Sequence, residues 1–353
     1  MIGRHARPAL VVVLAGAIAA GLAAQAPRAS LPERLSDQDF WSLSQSSSED
    51  GGYFRGENIT NLTSNELWFQ YVIPDLIART KPSRVYLGVG PEQNYTYMVA
   101  TRPKFAVIFD IRRGNLDLQL MYKAIFELSK DRAEFLSMLF SKPVPAGLSE
   151  TSTAADLFSA FAGARTNDAL YQQNVRAIEQ HLTKTHALPL PADDLAGLEA
   201  VYQAFYASGF YVRSNPSYAD LMTATDAAGV SRGYLATEEG FQFLKDLETR
   251  NLVVPVVGDF GGPKAIRAIG TYLKAHGATV STFYLSNVEQ YLYQDGKWDA
   301  FCRSVAMLPL DPASTFIRST NGGGGYGRGG GFVSSLGAMS AETRGCAIAE
   351  RAR

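Results

Sequence analysis

The segment "VYLGVGPEQNYTYMVATRPKFAVIFDIRR" (Val85–Arg113) decides the fold. It contains two apolar runs, of which the first ends at a pair of glycines and the second ends in an acid. A continuous apolar run bounded by turn residues is typical of a strand that is buried on both faces. Two such strands joined by a short helical connection run parallel to each other. The segment therefore predicts a parallel βαβ unit.

The rest of the chain repeats this alternation of elements. An amphipathic helix is predicted at 67–80, and apolar residues from about 115 to 250 recur at helical spacing, which predicts a helical insertion. Strands are predicted at 84–88, 105–110, 252–259, 279–286 and 314–320. Together these elements predict an α/β fold, a Rossmann-like and mostly parallel sheet with a large helical insertion, in a domain that spans 67–320.

The first 26 residues differ from the rest of the chain. Arg4 and Arg7 precede a continuous apolar run, an order that is typical of a signal peptide or of an uncleaved anchor at residues 8–24. The chain is therefore expected to be exported to the periplasm or cell envelope, or to be membrane-anchored. Membrane contact is expected only through this N-terminal segment.

Two further segments flank the predicted domain. Residues 27–66 are interpreted as an N-terminal arm, and the polar composition of their first part indicates a linker or a loosely packed segment. Residues 321–353 begin with a glycine-rich run and are predicted to be a disordered tail, because this composition buries little surface. Cys346 lies in this tail, so a stable disulfide with Cys302 is not expected.

Charge and composition limit the partners. The chain has 353 residues, a net charge of −1 at pH 7 and 19% charged residues. No basic field favours nucleic acid, so no nucleic-acid partner is expected. The four histidines are scattered and the two cysteines lack metal-type spacing, so no metal site is expected either. The expected partner is a small-molecule ligand.

A glycine loop is the strongest functional signal. Gly88 and Gly90 lie between the first predicted strand and the next helix, and Pro91 can occupy the first turn of that helix. Glycine there permits a sharp turn and a close approach of a ligand to the backbone. Asp110 lies 20 positions after Gly90, at the carboxyl end of the second strand, where an acid can accept hydrogen bonds from ribose hydroxyls. The alternative interpretation is an ordinary tight turn.

The loop departs from the dinucleotide-binding fingerprint at two positions. Gln93 fills the position of the third glycine, and Glu92 at the helix start would repel a pyrophosphate. A cofactor without phosphates fits this loop better. S-adenosylmethionine is the candidate, because its cationic sulfonium and amino group tolerate a nearby carboxylate.

Five segments carry a resemblance to a known family: EDGGYFRGENITNLTSNE (49–66), YLGVGPEQNYTY (86–97), DIRRGNLDLQLMYKAIFELS (110–129), VVPVVGDFGGP (253–263) and FYLSNVEQYL (283–292). Over roughly 49–320, the chain resembles an uncharacterised bacterial family with signal-like N-termini. That family is similar in fold to class I S-adenosylmethionine-dependent methyltransferases.

The resemblance implies roles for particular residues. Gly88 and Gly90 match the glycine loop of these methyltransferases, and Asp110 matches the acid that binds ribose. Asp259 and Phe260 match the acidic site after the fourth strand, which often faces the substrate or the methionine moiety. The missing third glycine and the large helical insertion depart from the methyltransferase pattern.

Candidate site residues follow from the rule that ligands bind outside the carboxyl ends of the strands in an open α/β sheet. Asp259 and Glu289 are the candidate catalytic bases, although each is alternatively a helix-start acid. Arg112 and Arg113 either clamp a carboxylate or phosphate or pair with Asp117 in a solvated loop. Tyr53, Arg113 and Asn287 are the candidate substrate-contacting or lid residues. The expected cofactor-binding residues are Gly88, Gly90, Pro91, Glu92, Gln93, Asn94, Asp110, Ile111, Arg112, Asp259 and Phe260.

Two functions are compatible with this sequence. The first is S-adenosylmethionine-dependent methyl transfer to an unknown acceptor. The second is a non-catalytic small-molecule-binding protein of the cell envelope on the same scaffold, which the signal-like start favours. S-adenosylmethionine is a cytoplasmic metabolite, so an exported methyltransferase would lack its donor. A binding measurement with S-adenosylmethionine bears most directly on this conflict.

Overall fold

The computed structural model describes residues 30–51, 61–213, 215–321 and 331–346. The predicted signal peptide or anchor and the candidate lid residue Tyr53 lie outside these residues. The strands are β1 (Val85–Val89), β2 (Phe105–Asp110), β3 (Val253–Val257), β4 (Val280–Ser286), β5 (Thr315–Asn321) and β6 (Phe332–Ala338).

The helices lie between and around these strands. The α-helices are α1 (Asp37–Ser47), α2 (Ile73–Arg79), α3 (Gln93–Thr101), α4 (Arg113–Leu128), α5 (Arg132–Phe140), α6 (Ala154–Gly163), α7 (Asp168–Gln180), α8 (Ala192–Ser208), α9 (Tyr218–Thr223), α10 (Glu238–Thr249), α11 (Ala265–Ala275), α12 (Val288–Gln294), α13 (Trp298–Ala306) and α14 (Met339–Glu342). Two 3₁₀ turns span Phe69–Val72 and Gly209–Tyr211, and a π-helical turn spans His181–Thr185.

The strands form one sheet in the order β3-β2-β1-β4-β5-β6. The first five strands are parallel, and β6 is antiparallel to β5. Every residue of β1, β2 and β3 is buried, as the continuous apolar runs in the sequence predict. The predicted strands are all present, so the mostly parallel α/β sheet is confirmed. The strand order is compatible with a Rossmann-like fold.

Helices α4 to α10 form the predicted insertion between β2 and β3, which confirms the helical character of this segment. Helix α4 is buried from Gly114 to Phe126, because the sheet covers one side of it and α8 and α10 cover the other. Aromatic side chains fill this interface. Tyr122 stacks on Phe135, and Phe126 lies 4.7 Å from Phe135 between ring centroids. The insertion therefore packs on the sheet mainly through α4, with α8 and α10 on the other side of that helix.

The N-terminal arm is not loosely packed where the structure describes it. Helix α1 begins after Ser36, whose side chain accepts a hydrogen bond from the Asp39 backbone N–H at 3.0 Å. Its Phe40 is fully buried, and its Ser44 hydroxyl donates to the Pro255 carbonyl of β3 at 2.6 Å. The prediction of a loose arm is wrong for α1, because the polar composition concealed a capped helix with one buried face.

The C-terminal prediction is wrong for residues 331–346. These residues contain β6 and α14, and β6 pairs with β5 along its whole length. The open edge of β5 offers a row of backbone groups that a returning strand satisfies. This return also brings Cys346 to α13, where it forms a disulfide with Cys302 across a Cα–Cα distance of 5.8 Å. The expectation that these cysteines stay unpaired is therefore also wrong.

Candidate functional site

A crevice opens at the carboxyl ends of β1 and β4, where the strand order reverses direction. Ligands bind at such a switch point in open α/β sheets. The cavity has a volume of about 420 Å³, which is in the range of small-molecule sites. Eight of the candidate site residues line it: Gly90, Pro91, Asp110, Ile111, Arg112, Asp259, Phe260 and Asn287.

Gly90 has the backbone geometry that the sequence predicts for the loop. Its φ of +77° lies in the left-handed region, which favours glycine. A Cβ atom added here would lie 3.4 Å from Asn61 Nδ2 and 4.0 Å from Asp110 Oδ2. The open side of Gly90 therefore faces the crevice between an amide and a carboxylate.

Gly88 has a different role from Gly90. A Cβ atom at Gly88 would overlap Asn94 Oδ1 and come within 2.9 Å of the Tyr86 hydroxyl. The Asn94 amide donates to the carbonyls of Val89 at 2.9 Å and Pro91 at 2.7 Å, and it accepts from Tyr86. Gly88 leaves room for a side chain that braces the loop from inside. It does not border the crevice.

Glu92 and Gln93 are interior residues as well. The Glu92 side chain is fully buried and accepts hydrogen bonds from the Ser64 backbone N–H. Burial raises the pKa of Glu92 to about 7. Near neutral pH this carboxyl group is therefore partly protonated, and it repels an anion less than the sequence indicates. Gln93 donates to Glu66 Oε2 at 2.8 Å and to the Tyr97 hydroxyl at 3.1 Å.

Asp110 lies at the crevice with only 4% of its surface exposed. Its Oδ1 accepts from the Arg112 backbone N–H at 2.9 Å and from the Arg112 guanidinium at 3.1 Å. Burial raises the pKa of Asp110, and the charge and hydrogen bonds of Arg112 oppose that rise. Arg112 therefore fixes the orientation of the acid at the end of β2.

Glu66 is a site residue that sequence reasoning missed. It lines the crevice and is 1% exposed. Its carboxylate accepts from Gln93 and from the hydroxyls of Ser286 and Ser319. Among the residues that the structure describes, no cationic side chain forms an ion pair with Glu66. Its position at the end of the segment 49–66, which carried the family resemblance, was the only signal for it.

Asp259 and its neighbours form the opposite wall. Asp259 Oδ2 forms an ion pair with Lys297 Nζ at 2.5 Å, and Oδ1 accepts from the Gly261 backbone N–H at 2.8 Å. Phe260 stacks on Phe301 with ring centroids 5.7 Å apart, which anchors this wall to α13. The candidate base therefore lies at the crevice with both carboxylate oxygens engaged.

Six of the candidate residues that the structure describes do not border the crevice: the interior residues Gly88, Glu92, Gln93 and Asn94, and the ion-paired residues Arg113 and Glu289. Glu289 forms an ion pair with Arg318 of β5 at 2.5 Å. Arg113 binds Asp194 of the helical insertion through two hydrogen bonds of 2.5 and 2.6 Å. The partner of Arg113 is therefore neither a ligand nor the predicted Asp117. Burial, with the nearby Asp194 charge, raises the pKa of Asp117 to about 8.

The N-terminus of α11 is filled by a protein carboxylate. Glu49 accepts hydrogen bonds from the backbone N–H groups of Lys264 at 2.9 Å and Ala265 at 3.0 Å. A Cβ atom at Gly262 would overlap this carboxylate. Helix N-termini of this kind bind phosphate groups in nucleotide-binding folds. Here Glu49 occupies that position.

The charges of the crevice come from segments that are distant in sequence. Four of the charged residues were not predicted, because each lies on a segment whose approach depends on the tertiary fold: Glu66, Arg213, Asp295 and Lys297. The acids that line the crevice are Glu66, Asp110, Asp259 and Asp295, and the bases are Arg112, Arg213 and Lys297. The walls therefore carry both signs of charge, which suits a polar ligand with charged groups.

The fold and the crevice define an α/β protein with a mostly parallel six-stranded sheet and a ligand-sized site at its switch point. The profile of a family described as a domain of unknown function, DUF7790, matches residues 59–331, and the chain belongs to this family. No curated protein matches the chain. Within the described residues, no helix has the length and apolarity needed to cross a membrane.

Proposed function

We propose that the crevice binds S-adenosylmethionine and that the protein is a methyltransferase. The observation that carries this proposal is the meeting of Glu66, Gly90 and Asp110 in one cavity at the switch point. Glu66 is buried and has no cationic partner among the described residues, which favours a ligand with a cationic group. An acid at the end of β2 beside an open glycine favours a ribose.

Each residue has a defined task in this proposal. Asp110 accepts hydrogen bonds from ribose hydroxyls, and Arg112 keeps its carboxylate in that orientation. Gly90 leaves space for the nucleoside against the backbone. Glu66 attracts the amino or sulfonium cation of the ligand. When bound, S-adenosylmethionine supplies a methyl group on a cationic sulfur.

Phosphate-bearing cofactors fit less well. The N–H groups at the start of α11 already bind Glu49, and α3 begins beside the buried carboxyl group of Glu92. At the start of α3, the N–H groups of Asn94 and Tyr95 bond to the carbonyls of Pro91 and Glu92, so neither helix start offers a pyrophosphate the cluster of N–H groups that it requires. A cofactor without phosphates does not need them.

The state of the candidate base limits the acceptor. Asp259 is paired with Lys297 and accepts from the Gly261 N–H, so both carboxylate oxygens already have protein partners. Methyl transfer needs a base only when the nucleophile is poorly ionised, and orientation of the two reactants contributes much of the rate. We therefore expect an acceptor that ionises readily, such as a thiol or carboxylate.

Calorimetric titration of the purified protein with S-adenosylmethionine tests the proposal. Asp110→Ala should weaken binding at least tenfold, because hydrogen bonds to a charged group contribute roughly 1.5–3 kcal/mol each. Gly90→Val should abolish binding by filling the space beside Asp110. The matched control is Glu289→Gln, which changes a carboxylate near the same end of the sheet but outside the crevice.

The control variant should bind like the wild type. Binding of NAD as tight as that of S-adenosylmethionine would contradict the phosphate argument. Failure of the wild type to bind any adenosyl compound at millimolar concentration would refute the cofactor assignment and leave the loop as an ordinary turn.

A second candidate function is non-catalytic ligand binding in the cell envelope. The disulfide between Cys302 and Cys346 favours it, because disulfides persist in oxidising compartments outside the cytoplasm. An exported or anchored protein with this crevice would bind a cationic small molecule without turnover. Ligand should then raise the melting temperature without forming product, and detection of methylated product would exclude this function.

A further inference from the structure

Two histidines that lie five positions apart in the sequence meet at one glutamate from another helix. His181, His186 and Glu127 offer ligand atoms that all lie within 4.8 Å of one another. The sequence favoured no metal site because its four histidines are scattered along the chain and its two cysteines lack metal-type spacing. The fold brings the end of α4, which carries Glu127, against the turn that follows α7, which carries both histidines.

A π-helical turn aligns the two histidines. Helix α7 ends at Gln180, and the next five residues form a wider turn in which the His186 backbone N–H bonds to the His181 carbonyl at 3.0 Å. Residues five apart share one face in such a turn, whereas they would diverge on an α-helix. Turns of this type are frequent at functional sites.

Both imidazoles point at the same oxygen atom. His181 Nε2 lies 2.8 Å and His186 Nε2 lies 2.7 Å from Glu127 Oε2. Lys123 holds the other oxygen, Oε1, at 2.6 Å. The carboxylate therefore presents one oxygen to both rings, which is the arrangement of a monodentate metal ligand. The three side chains are only 8–14% exposed.

A second carboxylate orients one of the rings. His186 Nδ1 lies 2.6 Å from Asp37 Oδ1, and that oxygen also accepts from Asn251 at 2.8 Å. Metal-binding histidines usually donate their second ring nitrogen to a carboxylate in this way, which fixes the tautomer and leaves Nε2 for the metal. Asp37 lies on α1, so the cluster joins the N-terminal arm to the helical insertion.

We propose that Glu127, His181 and His186 bind a divalent transition-metal ion of the zinc type. Two imidazoles and one carboxylate are a ligand set that Zn²⁺ accepts, with a fourth position for water. Tetrahedral Zn²⁺ holds its ligand atoms about 3.4 Å apart, so the side chains move by only about 1 Å. The ion replaces the two imidazole–carboxylate hydrogen bonds, so each Nε2 gives up its proton, either to solvent or to Nδ1 of the same ring.

This site is separate from the crevice. Helix α4 runs from Arg113, near the carboxyl ends of the strands, to Leu128, and Glu127 lies about 21 Å along its axis from Arg113. The ion would connect α1, α4 and the turn after α7, so its effect is on stability. The inference does not depend on the ligand of the crevice.

Metal titration of the full chain without an affinity tag tests the proposal. After chelator treatment, ZnCl₂ should bind at one ion per chain with a Kd of micromolar or below, and Co²⁺ should give the visible absorption of a tetrahedral site. Chelator should lower the melting temperature, and Zn²⁺ should restore it. If chelator and Zn²⁺ leave the melting temperature of the wild type unchanged and no stoichiometric binding occurs, the cluster is only a hydrogen-bonded network.

Matched variants locate the ion. His181→Gln and His186→Gln should each weaken Zn²⁺ binding about 100-fold or more, and Asp37→Asn should weaken it roughly 10–100-fold by releasing His186. His276→Gln is the control, because His276 lies at the end of α11 and contacts the Tyr272 carbonyl. Equal binding by the His181 variant and the His276 control would overturn the assignment. If a variant fails to fold, the Co²⁺ spectrum and chelator response of the wild type decide.

Discussion

Glu92 is an acid whose surroundings change its pKa. Its side chain is fully buried at the start of α3, and burial raises its pKa from the usual 4.5 to about 7. The Ser64 N–H group and its own backbone N–H oppose the rise, and the nearby Glu66 adds to it. The residue therefore titrates near neutral pH in the folded protein and near pH 4.5 in the unfolded chain.

This difference predicts that Glu92 lowers the folding stability as the pH rises. Between about pH 4.5 and pH 7 the unfolded chain releases the Glu92 proton while the folded protein keeps it, so the folded state binds more protons. The free energy of unfolding should fall by at most roughly 3 kcal/mol through this window. Urea unfolding of the wild type at about pH 5 and about pH 8 measures the loss.

Glu92→Gln isolates this contribution. Burial also raises the pKa values of Asp117 and Glu248 to about 8 each, so the wild type loses stability from several acids together. The free energy of unfolding of the variant should fall less with pH, and the difference from the wild type is the contribution of Glu92. Glutamine still accepts a hydrogen bond from Ser64 and does not titrate. An identical pH dependence of wild type and variant would show that Glu92 keeps an ordinary pKa.

Among single residues, Gly88 and Gly90 show which site residues the sequence can identify and which it cannot. Gly90 has a positive φ and borders the crevice, as its place in the loop indicates. Gly88 has the same local signal, but its missing side chain makes room for Asn94. The role of Glu66 cannot be predicted from the neighbouring sequence, because its hydrogen bonds to Ser286 and Ser319 span 220 and 253 residues. Spacing identifies the loop, and only tertiary contacts identify its partners.

Helices and strands that show a clear pattern in their own sequence were predictable. Elements that form only through contacts with another part of the chain were not. The strands β1, β2 and β3 are continuous apolar runs, so their composition predicts burial on both faces. Strand β6 has only partly buried or exposed residues, and it forms because β5 offers an unpaired edge. Helix α1 is polar except for residues such as Phe40, which are buried against β3 and α11.

The disulfide predicts a specific stability for the C-terminal elements. It joins α13 to the segment after α14 across 44 residues. Closing a loop of this length lowers the entropy of the unfolded chain, which corresponds to about 2–4 kcal/mol of stability. The double variant Cys302→Ser/Cys346→Ser should therefore unfold at lower guanidinium concentration. A free-thiol assay that finds two reactive thiols in the untreated folded protein would contradict the pairing.

On the scale of the whole molecule, the N-terminal arm completes the sheet. Strand β3 is an edge strand, and an uncovered edge is a template for aggregation. The arm supplies the missing partners. The Glu49 backbone N–H donates to the Val257 carbonyl at 2.9 Å, and the Val257 N–H donates to the Ser48 hydroxyl at 3.0 Å. The same arm carries Glu49 to the start of α11 and Asp37 to His186.

Deletion of the arm should therefore destabilise the protein and promote association. A variant that lacks residues 1–51 loses the cover of β3 and the buried Phe40, whose burial alone contributes roughly 1.5–3 kcal/mol. The matched control lacks residues 1–29, which removes none of the described contacts. We expect the longer deletion to melt at lower temperature and to scatter light as oligomers, while the control stays unchanged. If both variants are equally stable monomers, the edge of β3 does not need the arm, and the sheet is stabilised by the insertion alone.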